Sequence, residues 1–76
     1  MDIENIKLAN NIFNLSSKFD DLTNNNIAND NLTNILQTIQ SNLYKMKKSN
    51  LKTICEKIFN LHTKEINAQR AINLSM

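Results

Sequence analysis

The chain has 76 residues, no glycine, no proline, one cysteine and a formal net charge of +2. A length of this order makes one domain at most, and such a chain buries only about 60% of the surface its unfolded form exposes. A lone cysteine excludes an internal disulfide, and the absence of glycine excludes a Gly-rich phosphate loop and removes the usual residue of hairpin turns.

Average usage would supply roughly nine Gly and Pro together in this length. Sheet proteins need many turns with positive φ and helical ones few, so the composition predicts helices. Asn is present in fifteen copies and can take the left-handed and cap positions that Gly would otherwise fill. Abundant Asn, Ile and Lys beside scarce Ala and Arg also match an AT-rich genome, such as that of many phages and large DNA viruses. Small folds usually carry a staple. Cys55 and His62 are the only soft metal ligands, too few for a four-ligand structural zinc, so no metal or cofactor is expected. A second copy or a protein partner is the expected staple.

The first helix is predicted over about 3–22. Leu8, Ile12, Leu15, Phe19 and Leu22 step by 4, 3, 4 and 3, the seam of a heptad. Asp2 suits the N-cap and Glu4 the positive end of the helix dipole. Ile6 and Phe13 lie off that seam, one heptad apart. Residues 23–31, crowded with Asn, prefer local side-chain bonds and read as a helix–helix loop, with Asn29, Asp30 or Asn31 able to cap the next helix.

A second helix is predicted over about 32–48, on the seam of Leu32, Leu36, Ile39, Leu43 and Met46 with Ile35 beside it. The apolar stripe then jumps by about a quarter-turn near Lys47-Lys48-Ser49-Asn50. Two folds explain the jump. In a small three-helix bundle with coiled-coil-like heptad packing, the second helix ends near Lys48 and Ser49 or Asn50 caps a third over 50–74. In the alternative, a helical hairpin, one helix of about 40 residues runs on for roughly 60 Å. The all-α bundle is the preferred reading.

The third segment is apolar over a wide arc. Leu51, Ile54, Ile58 and Leu61, continued by Ile72, form the expected core stripe; Cys55, Phe59, His62 and Ile66 form a flank beside it. One stripe of about 100° is enough to pack a helix on a core. Two adjoining stripes mean two neighbours, which the other two helices of a bundle could both supply. The other reading makes the flank a contact with another chain, through Phe59, His62 and Ile66, with Phe13 as a second patch.

Charge is divided along the chain, acidic over residues 1–38 and basic over 39–76. Lys45, Lys48 and Lys52 share a stripe if the helix continues, which would suit nucleic-acid phosphates. Base reading leans on Arg, of which Arg70 is the sole copy, and Tyr44 is the one aromatic nearby. A solvated lysine face is the simpler reading.

Catalysis is poorly provided for. Cys55 and His62 are about 10 Å apart along one helix, beyond the ~3 Å a nucleophile and base require, and no small-molecule substrate is expected. No stretch approaches the roughly 18 apolar residues of a membrane span. The acidic start Met1-Asp2-Ile3-Glu4 does not read as a signal peptide, and a single thiol fits the cytoplasm or another reducing compartment. The sequence thus predicts a non-enzymatic helical interaction module, accessory, regulatory or inhibitory, with phosphate binding through Lys45, Lys48 and Lys52 as the alternative.

Overall fold

The computed structural model describes residues 2–24 and 29–75; positions 25–28 of the predicted loop, and the side chain of Ile72, lie outside what it describes. Three helices come in order: α1 (Ile3–Asn24), α2 (Asn29–Lys45) and α3 (Asn50–Ser75). Each packs against the other two, in a rod of 48 × 17 × 16 Å. The three-helix bundle is the arrangement found, and the long-armed hairpin is not.

Side chains that cap the helices account for their limits. Asp2 Oδ1 accepts the N–H of Glu4 at 2.9 Å and of Asn5 at 3.2 Å, which opens α1. Ser49 Oγ accepts the Lys52 N–H at 3.2 Å and so caps α3. α2 stops at Lys45, earlier than the predicted Lys48, and the Met46 N–H closes a tight turn on the Leu43 carbonyl at 3.1 Å. The Lys52 ammonium donates to the Met46 carbonyl at 3.2 Å, a cation at the negative end of α2.

Asn5 holds the α2–α3 connection in place. It is 5% exposed, its Oδ1 accepts the Lys47 N–H at 2.8 Å and its Nδ2 donates to the Lys47 carbonyl at 2.9 Å. Nδ2 also reaches Ser49 Oγ at 3.3 Å. One side-chain amide thus satisfies both backbone groups of Lys47, as a neighbouring β-strand would.

The seams of α1 and α2 face the core largely as their heptads predict: Leu8, Ile12 and Phe19 from α1 and Leu32, Ile35, Ile39 and Leu43 from α2 are buried, with Met46 just beyond it. Leu15, Leu22 and Leu36 pack partly buried against them, and Ala9, off the predicted seam, is buried too. In α3 the expectation is reversed. Cys55, His62 and Ile66 are buried, at 0%, 3% and 6% exposure, whereas Ile54 and Leu61 stand 50% and 57% exposed. Both stripes are apolar, so periodicity could not choose between them. The choice is made by the anchoring of residues 47–49 to Asn5, which sets where α3 starts, and by a bond from Ser16 of α1 to His62 at 2.6 Å. Those two links also show that α1 and α3 run parallel. They bring Ala9 and Cys55, both small and buried, to about the same level, where two helices can approach closely.

Candidate functional site

The residues predicted to meet another chain are dispersed by the fold. Ile66 and His62 belong to the interior of the bundle, and Phe59 packs half-buried against the core. The flank read as a partner face is therefore the inward face of α3, and the stripe expected to face the core leaves Ile54 and Leu61 in solvent. Phe59 also borders a shallow groove of about 280 Å³ between α2 and α3, shared with Leu43, Tyr44 and Glu56. Phe13 alone of the four is exposed, at 38%.

The lysines form no continuous stripe, since the helix they would share breaks between Lys45 and Asn50. Lys45 and Lys48 are exposed, while Lys52 is half-buried and bonded to the Met46 carbonyl. Lys47, not singled out by sequence, reaches Asp2 Oδ2 at 2.9 Å. The Lys47 hydrogen bond, and then the Asn5 N–H, hold the Asp2 carboxyl below the usual carboxylate range, and Asp2 raises the Lys47 ammonium in turn.

What the fold does bring together is a line of side chains along the α1–α3 seam. Ser16 and Asp20 identify the flank of α1 turned to α3, since both approach His62. Glu65, which shares a flank with Ile54, Ile58 and Leu61 at 100° per residue, identifies the facing flank of α3. By the same count Ile6 and Phe13 lie on the α3 side of α1. Ile6 and Ile58 are half-buried, and Phe13, Ile54 and Leu61 are exposed. The result is an apolar strip open to solvent.

No family model, curated protein or solved structure matches this chain.

At the far end of the seam lies His62. Its ring stacks obliquely on Phe19, with centroids 4.2 Å apart and planes inclined at 38°. Nε2 shares a hydrogen bond with Ser16 Oγ, but the buried Nδ1 makes none to any described residue. Two carboxylates face that atom, Asp20 at 3.9 Å and Glu65 at 3.7 Å. Sequence holds half of this signal, in the His62–Glu65 spacing of one helical turn; Asp20 and Ser16 arrive only with α1. Cys55 is wholly enclosed, and burial pushes its thiol up, away from the reactive thiolate.

Proposed function

We propose that this protein is a non-enzymatic helical interaction module that associates with a second copy of itself through the α1–α3 seam. The observation that carries the reading is the exposed apolar strip of Phe13, Ile54 and Leu61, extended by Ile6 and Ile58. Ile54, Ile58 and Leu61 are spaced 4 and 3, so the strip has the geometry of a coiled-coil seam and can receive the same strip from another copy about a two-fold axis. A small core adds to the argument, because an interface supplies apolar burial the monomer lacks. Against chemistry stands the enclosed, weakly acidic Cys55. Among the described residues no helix is long and apolar enough to cross a membrane.

Light scattering at micromolar concentration tests the reading. Wild type is expected as a dimer, and Ile54→Glu with Leu61→Glu as a monomer with unchanged helical circular dichroism, since both side chains are exposed. A wild type that stays monomeric and melts sharply rejects self-association; if the same strip then captures a purified helical partner, the module docks on another protein instead. Phosphate binding through Lys45, Lys48 and Lys52 is the other reading. It takes precedence if replacing those three by Glu abolishes a salt-sensitive shift of nucleic acid in a gel.

A further inference from the structure

We infer that His62, Asp20 and Glu65 form a binding site for a divalent transition-metal ion of the zinc class, tying α1 to α3. The inference is independent of the self-association reading and departs from the expectation of no metal, which counted soft ligands alone. His62 Nδ1, Asp20 Oδ1 and Glu65 Oε1 are the candidate ligand atoms of a group whose donors all lie within 4.8 Å of one another. Two of these residues are acidic and partly exposed, and carboxylates gather on protein surfaces without binding anything. The imidazole is what distinguishes the group. It is 3% exposed and its Nδ1, aimed at both carboxylates, is a buried polar atom without a hydrogen bond among the described residues. At 3.7 and 3.9 Å neither carboxylate is within hydrogen-bond reach of it.

The other ring nitrogen supports the assignment. In the tautomer whose Nε2–H donates to Ser16 Oγ at 2.6 Å, the Nδ1 lone pair is left facing the two carboxylates, an arrangement a cation between them would stabilise. Metal-bound histidines characteristically use their second nitrogen in this way, which fixes tautomer and ring orientation. An ion about 2.0–2.2 Å from each donor needs donor atoms roughly 3–3.5 Å apart. The two histidine–carboxylate spacings are wider by less than about 1 Å, and no donor pair, at up to 4.8 Å, by more than about 1.8 Å, a gap that rotamer changes of two carboxylates whose side chains are 57% and 41% exposed can close. One imidazole with two carboxylates suits zinc or its first-row neighbours, whereas magnesium and calcium prefer all-oxygen shells. Water would complete the coordination. Since Asp20 belongs to α1 and His62 and Glu65 to α3, the bound ion would staple the two helices.

The full-length chain, stripped with EDTA, is titrated with Zn²⁺ against a chromophoric competitor and with Co²⁺ by visible absorption, and is melted with and without Zn²⁺. The expected result is one ion per chain and a melting temperature raised on the order of 10 °C at about a hundredfold excess over Kd. Asp20→Asn and Glu65→Gln should each weaken Zn²⁺ at least about tenfold while keeping the helical spectrum, because their side chains are largely outside the core. Asp30→Asn, on α2, should bind as wild type does. The proposal is overturned if wild type binds no Zn²⁺, if saturating Zn²⁺ leaves the melt unmoved, or if Asp20→Asn and Glu65→Gln keep wild-type affinity.

Discussion

Asn5 shows how one buried polar side chain can decide the course of a backbone. Sequence places it in the first turn of a helix, where an Asn is a weak helix former and most often solvated. The fold buries it and gives it three hydrogen bonds to residues 47–49. Removing the amide would take from the Lys47 N–H and carbonyl the side-chain partner that holds the connection. Asn5→Ala is accordingly expected to cost about 1–3 kcal/mol of folding stability, measured by urea denaturation, since it removes several part-buried hydrogen bonds at once. Asn5→Asp keeps the acceptor, loses both donors and should fall in the same direction. A change near zero for both would show that the connection holds itself. No periodicity could have disclosed this residue, because its partners, the Lys47 backbone and the Ser49 hydroxyl, are distant in sequence.

The start of α1 combines a cap with an ion pair. Asp2 caps α1 with one carboxylate oxygen and meets Lys47 with the other. Its carboxyl is depressed below its ordinary value of 3.8, so its contribution is complete above that value and lost as pH falls through the lower, folded one. Lys47 is raised above 10.5, so its share is complete below that value and lost as pH rises through the higher one. Asp2→Asn keeps a capping oxygen but removes the charge pair. The stability gap between wild type and Asp2→Asn should therefore be flat from about pH 5 to 9 and close below about pH 4. With Lys47 79% exposed, the gap should also shrink as salt is added. A gap that widens in acid would contradict the pairing. Asp2 as cap of α1, and Ser49 as one of two candidate caps of α3, were legible in the sequence, because capping uses residues within a few positions of each other.

For the molecule as a whole, the small core and the open α1–α3 strip point the same way. Burial between copies stabilises the folded state by mass action, so the melting temperature should rise with protein concentration between about 1 and 100 μM. An apolar interface should hold that trend in high salt, whereas contact with phosphates would weaken steeply. A melt independent of concentration would count against the dimer.

Composition and heptads by themselves determined the all-α class and most of the inward faces of α1 and α2, because those come from backbone chemistry and from periods that span neighbouring turns; between bundle and hairpin they gave only a preference. They did not determine the rotation of α3. Its apolar arc is wide enough to satisfy a core on either stripe, so the outcome rested on contacts made from α1: the Asn5 amide on the connection and Ser16 on His62. That rotation sent Ile66 and His62 inward and left Ile54 and Leu61 in solvent. It also brought Asp20 to face the His62 ring. Both candidate sites lie where two helices meet, and no single helix encodes which of its flanks will face the other.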